Sequence, residues 1–129
     1  MSQIKIYGLT HTINTYRKIL SLAIHSSLME SLNYPSEKIF QRFIKLEPED
    51  FIFPQDRSEN YLIIEISMFE GRSTSAKKQL IALLFKNIET DCQILPQDIE
   101  ITIFETPLEN WGIRGKVASE LTLNYQVKV

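Results

Sequence analysis

A chain of 129 residues can form one domain that buries roughly two-thirds of its unfolded surface without a metal or a disulfide. The hydrophobic share of 43% and charged share of 23% are typical of a globular protein, and the formal net charge of -2 argues against a nucleic-acid partner. The single cysteine, Cys92, has no partner for an internal disulfide. Since there is no secretory leader pattern and no apolar run of roughly 18 residues, we expect a cytoplasmic protein without a membrane partner.

The first part of the chain has the pattern of a strand, a helix and a second strand. The alternation at residues 4–7 predicts a short opening strand, and apolar residues at helical spacing predict a helix over residues 12–32. Asn33 and Pro35 are typical of a helix end, because proline disfavours helical conformation in the residue before it. Residues 40–46 then predict a second strand.

The second part repeats this order after a surface loop at residues 47–60. A β-branched, apolar run at residues 61–68 predicts a strand that is buried on both faces. Helical spacing follows at residues 75–90, and Pro96 precedes another predicted strand at residues 99–106. Strand starts and prolines in the two parts are about 60 residues apart, which indicates a duplicated β-α-β unit.

The predicted fold is α+β, with a four-stranded mixed sheet and both helices on one face. The helices share a face because each crossover connection is right-handed. From the length of the chain we expect residues 1–129 to form a single domain, with pseudo-repeats at about 1–46 and 61–106. Strict apolar and polar alternation at residues 121–129 predicts a further C-terminal strand. One sheet face remains uncovered in this arrangement, which favours association with other copies of the chain.

Between the third strand and the second helix, Gly71 and Arg72 form a predicted turn, and Ser73 or Thr74 is suited to cap the helix. Backbone N–H groups of the first helical turn point out of the same corner. An arginine there is suited to bind a carboxylate or another small anion. The alternative is a solvated surface arginine. In either case we expect an arginine at this corner to contribute little to the core.

The duplicated plan, the FEGRS turn at Phe69–Ser73 and the ETPLENWG run at Glu105–Gly112 resemble the tautomerase superfamily in its long-monomer branch. Within that branch the chain is most similar to the cis-3-chloroacrylic acid dehalogenase and malonate semialdehyde decarboxylase groups. The resemblance implies a homotrimer with sites between subunits and a small carboxylate as ligand. No phosphate loop, nucleotide fingerprint or metal-ligand cluster is present in the sequence, so no cofactor is expected.

The resemblance also implies roles for individual residues. Arg72 matches an arginine that binds the substrate carboxylate, whereas Phe69 stands where the dehalogenases have a second arginine. His25 matches a histidine that assists substrate binding, although a lone helix histidine is also compatible with a structural role. Trp111 and Arg114 lie in a glycine-punctuated loop, and we expect them to line the substrate site or, for Trp111, to cap the core.

The sequence departs from the superfamily at its start. The superfamily's catalyst is an N-terminal proline exposed by removal of the initiator methionine, whereas this chain begins Met1-Ser2. If Met1 is removed, Ser2 carries a primary amine with an unperturbed pKa near 7.7, which is suited to general-base catalysis or to Schiff-base formation. Two alternatives remain: a ligand-binding or structural homotrimer without catalysis, and a hydrolase in which the Ser2 hydroxyl attacks.

Overall fold

The computed structural model describes residues 2–121, which form two β-α-β units and a small hairpin. The elements are β1 (Ser2–Leu9), α1 (Thr10–Leu32), β2 (Gln41–Leu46), β3 (Leu62–Phe69), α2 (Thr74–Cys92), β4 (Ile99–Thr106), β5 (Gly112–Ile113) and β6 (Lys116–Val117). The main sheet has the order β2-β1-β3-β4. Its outer pairs are parallel and its central β1–β3 pair is antiparallel. The predicted α+β class and mixed sheet are confirmed.

The core lies between the two helices and one face of the sheet. Along β1 and β3 the even-numbered residues face this core, as Ile4, Ile64 and Ile66 show, and both helices contribute buried leucines and isoleucines to the same cluster. The odd-numbered Glu65 and Ser67 of β3 are only half-buried. The prediction that this strand is buried on both faces is therefore wrong for the single chain, because its polar residues alternate onto the open face.

The open face of the sheet is partly covered at one end by the loop that precedes β3. Phe51 and Phe53 of this loop pack against Tyr61, with ring centroids 5.6 Å and 5.0 Å from the tyrosine ring. The rest of the face mixes charged and apolar side chains, including Lys5 and the 48% exposed Phe104. Much of this face therefore has no covering layer within residues 2–121.

The two helices differ in how their ends are capped. Helix α1 begins after Leu9 without a side-chain cap, and it ends at Asn33, which adopts a left-handed conformation with φ 56°. Ser73 caps α2, since its side chain accepts a hydrogen bond from the backbone N–H of Ala76 at 3.0 Å. One of the two predicted capping residues, Ser73, is thus the cap in the structure.

The predicted C-terminal strand at 121–129 lies outside the described residues except for Leu121, which follows a short 3₁₀ turn. Within residues 2–121, neither helix combines the length and apolar character needed to cross a bilayer.

We predict that Ser73→Ala lowers the free energy of unfolding by about 1 kcal/mol, because the first-turn N–H of α2 loses its side-chain acceptor. Urea denaturation measures this loss. Thr74→Ala is the matched control, since the neighbouring Thr74 is the first helical residue and not the cap. An equal change in both variants would contradict the capping role of Ser73.

Candidate active site

Antiparallel pairing of β1 with β3 places the beginning of the chain beside the turn that carries Arg72. Ser2 lies opposite Met68, one residue before Phe69 at the end of β3. The backbone then turns at Gly71, whose φ of 121° is disfavoured for residues with a Cβ. Ser2 and Arg72 are 70 positions apart in sequence but lie at the same end of the sheet.

Ser2 is engaged by a residue of the segment that joins α1 to β2. The Ser2 side chain points to the helix side of the sheet, and Ser2 is 2% exposed. Its Oγ forms a hydrogen bond with the hydroxyl of Tyr34, which is 5% exposed. Either oxygen can be the donor. The Ser2 side chain is therefore held inside the chain by Tyr34.

Arg72 contacts the ring of the same tyrosine, whereas Ser2 contacts its hydroxyl. Its guanidinium carbon lies 5.1 Å from the centroid of the Tyr34 ring, and its Nη1 donates to the Leu32 carbonyl oxygen at 3.4 Å. Leu32 ends α1, where the helix dipole is negative and favours a cation. Arg72 is only 6% exposed. The expectation of a corner arginine with little core contact is therefore wrong.

The electrostatic environment keeps the Tyr34 phenol neutral near pH 7. Burial raises the pKa of Tyr34 above its ordinary value of 10.0, while the hydrogen bond with Ser2 and the positive charge of Arg72 act in the opposite direction. Because burial is the largest of these effects, the phenol keeps its proton at neutral pH. Tyr34 can therefore donate a hydrogen bond as well as accept one.

His25 holds the segment that carries Tyr34. Its buried ring lies on α1, and Nε2 is 3.0 Å from the Ser36 carbonyl oxygen. A carbonyl only accepts, so Nε2 carries the hydrogen, and Nδ1 has no hydrogen-bond partner among residues 2–121. His25 therefore contacts the segment after α1 at Ser36, which is two positions after Tyr34. Its predicted role in substrate binding stays a prediction.

The two remaining predicted site residues belong to the hairpin region. Trp111 packs edge-on against Phe69, with ring centroids 4.7 Å apart, and both belong to a small cluster with Leu108, Ile113 and Ala118. The contact agrees with a core-capping role for Trp111. Arg114 lies in the turn between β5 and β6 with φ 53°, and its side chain is exposed.

Sequence reasoning missed Tyr34. Tyr34 stands between the helix-ending Asn33 and the turn-forming Pro35, and this position indicates a loop but no functional role. Tyr34 is 32 positions from Ser2 in sequence, so the contact depends on how the chain between them folds. Across residues 2–121, no group of three or more His, Cys, Asp or Glu side chains is arranged to hold a metal ion.

The sequence of this chain matches that of a known enzyme family. A family model described as "Tautomerase enzyme" matches residues 38–114, which is more than half of the chain. The chain belongs to the tautomerase family. The matched region includes Arg72, Trp111 and Arg114, whereas Ser2, Tyr34 and His25 lie before it. Probable tautomerase YusQ of Bacillus subtilis (strain 168) is 25% identical over 98 residues, covering 72% of this chain and 77% of that protein.

Solved structures share the fold of this tautomerase-family chain. A malonate semialdehyde decarboxylase structure superposes with a TM-score of 0.81 at 21% identity, covering 93% of this chain and 99% of that one. A fused 4-OT described as an asymmetric trimer has a TM-score of 0.79 at 17% identity, covering 91% and 96% of the two chains. At these identities the superpositions establish the common fold.

We predict that Arg72→Ala lowers the free energy of unfolding by roughly 1.5 to 3 kcal/mol, because it removes a buried, charge-assisted hydrogen bond to the end of α1. Urea denaturation gives the value. Arg17→Ala is the matched control, since Arg17 is exposed on α1 and bonds only to the exposed Asn14 among the described residues. A loss no larger than that of the control would contradict a stabilising role for the contact of Arg72 with the end of α1.

Proposed function

We propose that this protein is an altered tautomerase-family enzyme that binds a small oxo or unsaturated carboxylate. The Ser2 amine, created by removal of Met1, is its acid–base catalyst, and Arg72 binds the carboxylate. The observation that carries this proposal is the meeting of Ser2 and Arg72 at the buried Tyr34. Ser2, which would bear the amine, and the buried positive charge of Arg72 both contact Tyr34, and this shared contact supports the proposal.

The proposed reaction is enol–keto tautomerisation. Arg72 pairs with the carboxylate and fixes the position of the acid, as a charge-assisted pair does. The unprotonated Ser2 amine then takes the proton of the enol hydroxyl while the C=O bond forms. The resulting ammonium donates a proton to the carbon atom of the former double bond, which regenerates the amine. A primary amine with an unperturbed pKa near 7.7 is partly unprotonated at neutral pH and can perform both steps.

We further propose that the chain works as a homotrimer in which neighbouring copies complete the site. The open sheet face, with Phe104 48% exposed, offers a surface for a second copy. The trimeric fused 4-OT supports this proposal through its shared fold. In such an assembly the exposed hairpin would allow Arg114 to contact substrate bound to a neighbour, with Trp111 fixing the base of the hairpin and His25 supporting the segment with Tyr34.

One specific observation favours a second candidate, a ligand-binding or structural homotrimer without catalysis. The Ser2 hydroxyl and the Arg72 guanidinium both make internal contacts that stabilise the chain. Such contacts would be retained even if proton transfer had been lost when serine replaced the family's proline. The same engagement of the hydroxyl disfavours the hydrolase alternative, in which Ser2 Oγ must be free to attack.

We predict that the protein is a trimer in dilute solution, because its open sheet face needs a covering layer. Multi-angle light scattering at micromolar concentration gives the mass directly. With 15.0 kDa per chain, the scattering mass distinguishes a trimer from one chain or two. A stable monomer would overturn both the trimer and the site between subunits.

We predict that Ser2→Pro raises the rate of enol–keto tautomerisation of a test acid such as phenylenolpyruvate. Proline supplies a rigid secondary amine at the same place, and the first residue of a strand tolerates its ring. The measurement compares initial rates of the two proteins across pH, after mass spectrometry has confirmed that both lack Met1. The pH profile should follow an amine that titrates near neutrality.

The outcome separates the two candidate functions. A rate gain with the assembly preserved supports an intact surrounding site. Absence of activity in both proteins, with fold and assembly unchanged, would contradict the enzyme proposal and favour ligand binding or assembly. Retention of Met1 in the native protein would exclude every proposed role of the Ser2 amine at once.

A further inference from the structure

We infer that Tyr34 is the positioning residue of this site: by holding the Ser2 hydroxyl, it fixes the orientation of the neighbouring amine. The inference rests on the proposed function for its catalytic consequence. Its structural basis is the buried hydrogen bond between Ser2 Oγ and the Tyr34 hydroxyl. This contact joins the first residue of β1 to the segment after α1.

A serine at the start of a chain needs such a restraint if its amine is to be a catalyst. The ring of a proline fixes φ, whereas the amine of an N-terminal serine can rotate about the N–Cα bond and its hydroxyl can compete for hydrogen bonds. Binding Oγ selects one χ1 rotamer and removes the hydroxyl from that competition. Since Oγ and the amine share Cα, fixing one limits the positions of the other.

Tyr34 itself is held by contacts on both sides of it in the chain. Asn33 ends α1 in a left-handed conformation, with its N–H bonded to the Met29 carbonyl. Pro35 has a fixed φ, and the next residue, Ser36, accepts a hydrogen bond from His25. The Arg72 guanidinium lies over the Tyr34 ring at 5.1 Å. The phenol is therefore a fixed point against which Ser2 can be positioned.

The contact also assigns the two polar groups of Ser2 to different tasks. The hydroxyl points to the helix side and is occupied by Tyr34, so it serves as an anchor. The amine is left as the reactive group. In this arrangement Tyr34 supplies, through a hydrogen bond, part of the restraint that a proline ring would supply covalently.

Periodate oxidation tests the anchor without any need for activity. Periodate cleaves the Cα–Cβ bond of an N-terminal serine when its amine and hydroxyl together form a cyclic adduct, leaving a glyoxylyl group and releasing formaldehyde and ammonia as periodate is reduced to iodate. Intact mass spectrometry follows this change. We expect Tyr34→Phe to be oxidised about fivefold faster than wild type. Loss of one net hydrogen bond shifts the equilibrium between the anchored and the free Ser2 hydroxyl by about this factor. Tyr16→Phe, at a half-buried tyrosine of α1, should match wild type.

Steady-state kinetics test the catalytic consequence. We expect Tyr34→Phe to lower kcat about fivefold with little change in KM, because the orientation of the base is affected more than carboxylate binding. Ser2→Pro has no Oγ to anchor, so adding Tyr34→Phe to that variant should change kcat less than twofold. A general loss of structure at Tyr34 would lower kcat equally in both backgrounds.

Each outcome decides one of the two proposals. Equal oxidation rates for wild type, Tyr34→Phe and Tyr16→Phe would overturn the role of Tyr34 while leaving the Ser2 amine as catalyst. No oxidation even in urea would mean that Met1 is retained, which overturns the proposed function. If Tyr34→Phe fails to fold, Ser2→Ala removes the same hydrogen bond from the other side, and an unchanged kcat in that variant overturns the inference.

Discussion

The antiparallel pairing of β1 with β3 is the constraint on which the site depends. Each β-α-β unit by itself gives only a parallel pair of strands, and the first strand of one unit must run against the first strand of the other to bring Ser2 opposite Met68. A shift of this register by one residue would turn the Ser2 side chain to the open face of the sheet. The Tyr34 hydroxyl, which lies on the helix side, would then lose its partner.

Arg72 connects the stability of the chain with its proposed chemistry. Its contacts with the end of α1 and with Tyr34 place a cation in the interior, where an isolated charge would be costly. The same fixed charge is what the proposed carboxylate ligand requires as its partner. Arg72 therefore joins its own turn to the end of α1 and is also the proposed binding partner of the ligand.

Local patterns predicted the two helices and the four strands of the main sheet, because alternation and helical spacing report which residues face a core. The short strands β5 and β6 were predicted only as a loop. The 60-residue offset also predicted the doubling of the unit, and the right-handed crossover rule predicted that both helices lie on one face. The environment of Arg72 could not be predicted from its turn, since its burial depends on the end of α1, 40 positions earlier. The contact of Tyr34 with Ser2 likewise required the long-range path of the segment after α1, which no local period encodes.

The central claim is that Ser2 carries a reactive amine beside a carboxylate-binding cation, and covalent labelling tests it most directly. An acetylenic 2-oxo acid, such as 2-oxo-3-pentynoate, reacts with an amine by conjugate addition, in which an N–C bond forms at the alkyne and a proton is transferred to the adjacent carbon. Peptide mapping of the treated native protein should find the label on the Ser2 amine, with labelling suppressed by an excess of an unreactive small carboxylate. Labelling of exposed lysines alone, with an unmodified N-terminal peptide, would contradict the account.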